Sequence, residues 1–317
     1  MSELVCLSQE NLLELITLPV AIKAVQDAYI AHVNGNGLIY PVVREPLDKT
    51  SVFGIKSGYL VSKKILGLKA AGFWGNNRSR GEESHQATIL IVDPDSGKPR
   101  AFLDGNYITT IRTAAAGALG IELFAAKDIT KLAVIGTGHQ GIAQTKAALH
   151  VRPGIQEIRC YSRSGNVQNF IDAFSQQVTV KTFGSPDEAI KDAEVVITTT
   201  ASTEPLVALE ALQPGVHVNA IGSDTAGKSE LHESVLHAAR VFVDDETQSR
   251  SIGELQGLPT VEAVPIGKVL TGELPGRQSN EQITVFDSTG IALQDLTTAA
   301  VALELAKQQN IGARLSW

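Results

Sequence analysis

Cysteine is scarce in this chain. Of 317 residues only Cys6 and Cys160 are cysteines, and they share no Cys-x-x-Cys or Cys/His spacing. That excludes a disulfide scaffold and a zinc site, leaves no metal expected, and fits a reducing cytoplasm. Long apolar runs are missing too: none approaches the roughly 18 residues of a membrane span. The first ten residues carry acids and lack a basic segment followed by an apolar one, so no secretory signal is expected. Basic charge is in deficit. A net charge of −7 argues against nucleic acid as a partner. No internal repeat or low-complexity tract occurs. With 43% hydrophobic and 19% charged residues, the remainder is an ordinary globular composition, long enough for two domains.

The most informative stretch is Lys131-Leu-Ala-Val-Ile-Gly-Thr-Gly-His-Gln-Gly-Ile-Ala143. Leu132 to Ile135 reads as a buried parallel strand, and Gly136-x-Gly138-x-x-Gly141 follows at once. Ile142 to His150 then reads as a helix. This is the strand–turn–helix context that a dinucleotide fingerprint requires. Gly136 permits the tight turn, Gly138 lets the backbone approach a pyrophosphate, and Gly141 lets helix and strand pack closely. A second strand, Glu157–Tyr161, arrives on schedule. From there strands alternate with helices: 178–182, 195–199, 216–220, 241–243 and 283–287 as strands, with 167–175, 185–191 and 231–239 among the helices. The pattern predicts a doubly wound parallel sheet.

Before this region the pattern is different. Residues 8–32 read as two helices, the first capped by Ser8 and the second opened by Pro19. Short strands follow at 40–44, 52–59, 65–73 and 87–92. A turn at Asp93–Gly97 leads the last into 99–103. This predicts a mostly antiparallel sheet. A helix rich in small residues runs from Ile111, with Thr109 or Thr110 as cap, which places Arg112 in a first turn where the helix dipole disfavours a cation. A final helix, 289–309, presents an apolar face and is expected to return to the first domain. The fold class is therefore α/β, a Rossmann sheet inserted in a second α+β domain. The domains would be 1–118 plus 289–317, and 119–288.

Several residues are placed for chemistry. Period-two reading puts Lys56 and Lys69 among small and apolar neighbours, where an ammonium must reach solvent, a carboxylate or a bound anion. Arg112 stands alone in the first turn of its helix, where an anion clamp would accept the dipole cost. The second Rossmann strand ends in Tyr161-Ser-Arg-Ser164 with no acid. Arg163 could meet a 2′-phosphate, which favours NADP, while a serine alone, here Ser162, can also hold a free ribose, so NAD stays open. Thr198 to Ser202 and His217 to Asp224 end parallel strands, where ligands of open α/β sheets bind, and this puts Asp224 near a nicotinamide. His139 reads as a loop residue and His85 as structural. His232 and His237 are five apart, one too many for a zinc helix, and Gly54–Gly58 has its serine misplaced for a nucleophile elbow.

Taken together, Arg44, Lys69, Ser84-His-Gln-Ala87, Leu103-Asp-Gly105 with Ile111-Arg-Thr-Ala-Ala-Ala116, Gly136–Gly141 and Ile221-Gly-Ser-Asp-Thr225 with Lys228 and Leu231 resemble the ornithine cyclodeaminase/mu-crystallin family over nearly the whole chain. The resemblance implies a substrate and dimerisation domain, a Rossmann domain, homodimers, and an NAD(P)H-dependent reaction between an imino and an amino acid. It implies that Arg44, Lys69 and Arg112 hold the substrate carboxylate, with Lys69 near the reacting centre and Asp224 as general acid. Arg112, Thr113, Gly136, Gly138, His139, Gln140, Gly141, Ser162, Arg163, Thr200, Ala201, Ile221, Gly222 and Ser223 would line the cofactor. One position departs from the pattern. Where relatives that take ornithine carry a carboxylate for the distal amine, this chain has Lys56, which repels a cationic side chain. The expected substrate is thus a dicarboxylic imine, as in iminosuccinate reduced to aspartate. A cyclic ketimine such as pyrroline-2-carboxylate, or a mu-crystallin-like protein that holds NADPH and a small ligand, are the alternatives.

Overall fold

The computed structural model describes residues 3–317, apart from the side chain of Arg78. In chain order the elements are β1 (Glu3–Leu7), α1 (Gln9–Leu15), α2 (Leu18–Val33), β2 (Gly37–Ile39), β3 (Val43–Pro46), β4 (Ser51–Leu60), β5 (Ile65–Trp74), β6 (His85–Val92) and β7 (Pro99–Asp104). They continue with α3 (Gly105–Phe124), β8 (Lys131–Ile135), α4 (His139–Val151), β9 (Glu157–Tyr161), α5 (Gln168–Phe174), β10 (Thr179–Thr182), α6 (Pro186–Ile190), β11 (Val195–Thr198) and β12 (His217–Ala220). The last are α7 (Glu233–Ala238), β13 (Arg240–Val243), α8 (Glu246–Ile252), β14 (Ala263–Pro265), α9 (Ile266–Leu270), β15 (Thr284–Asp287), α10 (Ala292–Gln309) and β16 (Ala313–Ser316). The chain forms two compact units. One comprises the residues up to Arg112 with Ile291–Trp317, the other Thr113–Gly290. The first joint thus lies inside α3, earlier than residue 118.

The first unit is built on a sheet of order β16-β1-β7-β6-β5-β4-β2, with β3 also on β4. The β1–β7 pair is parallel and the others are antiparallel. Ser8 caps α1: its hydroxyl accepts from the Asn11 N–H at 3.3 Å, and Asn11 Oδ1 accepts from the Ser8 N–H at 3.2 Å. Two expectations need correction. The strand read at 40–44 is two shorter strands, β2 and β3, on either side of Pro41, which has no N–H to give a ladder. And α3 begins at Gly105, because Asp104 Oδ1 accepts from the Tyr107 N–H at 3.0 Å and so caps it. Thr109 and Thr110 lie within the helix, and Arg112 lies beyond its first turn, where the dipole cost falls away.

Pleating sorts the sheet into two unlike faces. Gly54, Lys56 and Gly58 of β4 share a face with Ala71, Lys69 and Gly67 of β5, each directly opposite its partner. Helix α10 packs on this face, and the glycines make room for it. A Cβ on Gly58 would stand 3.6 Å from Leu293 Cδ2, and one on Gly67 only 2.8 Å from Leu296 Cδ2. The first half of α10, Ala292 to Ala300, is buried on every side. The opposite face carries Phe53, Ile55, Tyr59, Leu66, Leu68, Leu90 and Phe102, half-buried or exposed.

The second unit holds an all-parallel sheet of order β10-β9-β8-β11-β12-β15-β13-β14. Strand order reverses between β8 and β11, the switch point at which ligands of such sheets bind. Buried on both faces, β8 and β11 read as near-continuous apolar runs; β12 is as buried but carries His217 and Asn219, which bond to each other. Helix α3 packs here through small residues. Asn219 Nδ2 donates to the Gly117 carbonyl at 2.9 Å, and His217 Nε2 lies 2.8 Å from Asn219 Oδ1. Burial pushes the His217 pKa down to about 3, so the ring is neutral and structural. Among the described residues no helix is long and apolar enough to cross a membrane.

Gly67 gives a test of the glycine-lined face. A Cβ there would lie 2.6 Å from the Leu90 carbonyl as well as against Leu296. Gly67→Ala should therefore cost about 1–3 kcal/mol, as overpacking generally does. Urea unfolding measures this, and an unchanged midpoint would mean that sheet and helix part freely.

Candidate functional site

In the first unit, three strands and helix α3 bring cations toward one place. Lys69 is 4% exposed and Arg112 6%. Such charges need partners in a low-dielectric interior. Both find the same one, Asp295 of α10, itself 1% exposed. Lys69 Nζ lies 2.8 Å from each oxygen of this carboxylate, and Arg112 Nε lies 3.0 Å from Oδ1. Arg112 Nη1 also donates to Gln294 Oε1 at 3.2 Å, and Gln294 Nε2 donates to the Tyr29 hydroxyl at 2.7 Å. Burial pushes the Lys69 pKa down to about 7, against the pull of Asp295. Burial alone would raise the Asp295 carboxyl, but Arg112 and Lys69 outweigh it and hold it below the ordinary value. Lys56 stands directly across from Lys69, on the face under α10, and its charge acts on both Lys69 and Asp295. Arg44 pairs with Gly54 and lies over it: a Cβ at Gly54 would be 3.0 Å from Arg44 Cδ. The cluster so formed ties Lys69 and Arg112 to one buried carboxylate, with the charge of Lys56 acting on it.

In the second unit, the loop after β8 has the geometry its glycines promised. Gly136 has φ +107°. A Cβ on Gly141 would sit 2.1 Å from the Gly136 carbonyl, and one on Gly138, which caps α4, would meet nothing within 4 Å. The helix N-terminus is open toward whatever lies over Gly138, and anions are favoured there. Gln140 Oε1 is buried without a partner among the described residues. Ser162 and Arg163 follow β9, with Arg163 exposed. Thr200 and Ala201 follow β11, and Ile221, Gly222 and Ser223 follow β12. The carboxyl ends of these strands thus carry the residues expected to line a dinucleotide, and the bare backbone at Gly138 suits a pyrophosphate. Asp224 forms a 2.7 Å ion pair with Lys228.

The loops after β11 and β12 are tied by a carboxylate that the sequence did not announce. Glu230, fully buried, accepts from Thr198 Oγ1 at 2.6 Å, from the Thr200 N–H and hydroxyl, and from the Gly222 N–H at 2.7 Å. Glu254 in turn accepts from the backbone of Glu230 and Leu231, at 2.9 and 3.2 Å. Asp287 accepts from the Ser249 hydroxyl and the Glu254 N–H. Burial raises all three. Glu254 reaches about 7, with Glu230 adding repulsion, and Asp287 lies well above the usual carboxylate range. Asp295, Gln294, Glu230 and Glu254 are the site-shaping residues that sequence reading missed. Only Asp295 left a trace, as a lone acid in the apolar start of a helix.

A nicotinamide-dinucleotide fold of this kind, paired with a cation-rich α+β unit, defines a class of amino- and imino-acid oxidoreductases. The chain belongs to the ornithine cyclodeaminase/mu-crystallin family, whose model matches residues 3–310. It is 34% identical to the iminosuccinate reductase of Paracoccus denitrificans over 96% of this chain and 97% of that one. The solved structure of that enzyme with NAD+ superposes with a TM-score of 0.91, covering 99% of this chain and 100% of the other. The alanine dehydrogenase of Archaeoglobus fulgidus is 32% identical over 99% of both chains. The Thermococcus litoralis Delta(1)-pyrroline-2-carboxylate reductase, solved with NADH and L-proline, is 27% identical with a TM-score of 0.91 over 98% of this chain and 99% of that one.

The acidic cluster predicts how stability follows pH. Folded Glu254 holds its proton up to about pH 7, whereas in the unfolded chain it ionises near 4.5. The folded state therefore loses stability as pH rises through that window. Glu254→Gln should stabilise the protein at pH 8, by on the order of 1–3 kcal/mol, and leave it almost unchanged near pH 4.5. Thermal unfolding of both forms at the two pH values measures this; equal shifts at both would contradict it.

Proposed function

We infer that this chain is an NAD(P)H-dependent oxidoreductase that acts on the C=N bond of an imino acid to give an L-amino acid, and that its preferred substrate carries a second carboxylate. The observation that carries the second half is Lys56 directly opposite Lys69. The first half draws support from the glycine loop and the family. A bound reduced nicotinamide supplies the hydride. Gly136, Gly138, His139, Gln140 and Gly141 would hold the pyrophosphate, Ser162 and Arg163 the adenosine ribose, and Thr113, Thr200, Ala201 and Ile221–Ser223 the remainder.

The residues of this chain do the rest. Lys69, Arg112 and Arg44 orient the α-carboxylate, which fixes the carbon that receives hydride. Asp224, paired with Lys228, manages the proton at the imine nitrogen. A dianion suits the site, because Lys56 stands directly across from Lys69 and its charge adds to those of Lys69 and Arg112. Iminosuccinate has that form, and its reduction gives aspartate. The exposed apolar face of the first sheet suits a second copy of this chain, since an archaeal alanine dehydrogenase of the family, 31% identical, is a dimer.

Two experiments test this. Lys56→Ala should lower kcat/KM for the imine formed from oxaloacetate and ammonia by about 10–100-fold, the worth of one charged hydrogen bond, and leave pyrroline-2-carboxylate little affected. NADH and NADPH oxidation over a panel of imines provides the readout. A cyclic imine preferred by both forms would sink the dicarboxylate reading. The double variant Leu68→Asp, Leu90→Asp should elute as a monomer in size exclusion with light scattering; a persistent dimer would place the interface elsewhere.

A further inference from the structure

We propose that Asp295 is a positioning residue which, with Gln294, makes Lys69 and Arg112 into one two-armed carboxylate receptor and keeps the Lys69 arm protonated. This rests on the reading that these cations receive the substrate's carboxylate.

The geometry carries it. Asp295 meets Lys69 Nζ through both of its oxygens and takes Arg112 Nε on one of them. Gln294, the residue before it, takes Arg112 Nη1. That residue is itself fixed at both ends, because its Oε1 accepts from the Ile291 N–H at 2.8 Å and its Nε2 donates to Tyr29. The guanidinium is thereby anchored at Nε and Nη1, two of its three nitrogens, and its five N–H donors exceed what these two partners take. The ammonium of Lys69 has three protons and cannot spend them all on a single carboxylate. Both arms therefore keep donor capacity, yet neither can swing, because their shared partner sits on a helix buried on every side. Such a fork is preorganised, so little rotamer entropy is lost when a carboxylate binds.

Asp295 also sets the charge of its neighbour. The groups that face Lys69 are Lys56 on β4, Arg112 on α3 and Asp295 on α10. Arg44 on β3 and His85 on β6 lie further along the same face. Of the charges that act most strongly on Lys69, Asp295 is the anion. Burial has already brought Lys69 to about 7, and Lys56 and Arg112 push in the same direction. Loss of the Asp295 charge removes the opposing pull, so the ammonium would survive only at lower pH. The sign is definite: carboxylate binding must fail earlier on the alkaline side.

The test is binding of two unreactive carboxylates, succinate and propionate, followed by calorimetry from about pH 5.5 to 9 with NADH present. In the wild type both should weaken as pH rises through about 7, and Lys69→Met should abolish that limb. Asp295→Asn should move the limb about one unit or more toward acid. Gln294→Met should weaken both ligands severalfold and leave the limb in place. A limb that stays put in Asp295→Asn, while Lys69→Met removes it, overturns the inference. If Lys69→Met binds both ligands as the wild type does, the underlying assignment of the receptor fails instead. If succinate and propionate bind alike, only the role of Lys56 fails. Should Asp295→Asn not fold, as judged by circular dichroism and the loss of a cooperative urea transition, Asp295→Glu carries the test. It keeps the charge and displaces it by one methylene, so the limb should hold while affinity drops; wild-type affinity would overturn the positioning role.

Discussion

A charge that has left water must be matched, and the first unit is arranged to meet that demand at one point. Lys69 and Arg112 arrive from a strand and a helix with almost no solvent contact, and Asp295 answers both. A pair of this kind gains little net stability, because desolvation offsets attraction. Its value lies in definition: two flexible side chains are given one arrangement. The glycines at 54, 58 and 67 follow from the same demand. They clear the face so that the helix bearing the carboxylate can lie against the sheet, and so that Arg44 can cross it.

The second unit meets a different constraint in a similar way. A dinucleotide groove needs loops of fixed shape at the ends of several strands, and loops have few internal contacts to hold them. Glu230 supplies those contacts by accepting from both loops at once. The cost is a set of carboxyl groups crowded behind the groove, with Glu254 and Asp287 raised by burial and mutual repulsion. Shape at the ligand face is thus maintained by protons held at the back.

What could be read from the sequence follows physical range. The glycine loop, its strand and its helix are local, and period-two pleating put Lys56 and Lys69 on conspicuous faces before any coordinates. The central strands β8 and β11 were legible because burial on both sides makes them continuously apolar. What could not be read was non-local or short. Nothing near Glu230 signals that its partners are Thr198, Thr200 and Gly222. The Asp295 partners lie some two hundred residues away. The short strands β1, β14 and β16 are too brief to show a period, and the start of α3 was misplaced because Asp104, still in a strand, does the capping. Whether Lys56 looked inward depended on its register with Lys69, which sequence alone leaves open.

The return of α10 to the first sheet has a temporal meaning. Residues 113–290 are contiguous, so on a ribosome that unit can close as soon as its own chain has emerged. The sheet that began first must wait. Lys69 is joined to Asp295 across 226 residues, and until the last helix is made, its lysine and arginine have no counter-ion and its glycine-lined face has no cover. Domains usually mature in order of synthesis. Here the order is inverted: the middle unit is whole in the chain before the first sheet can receive the helix that covers it.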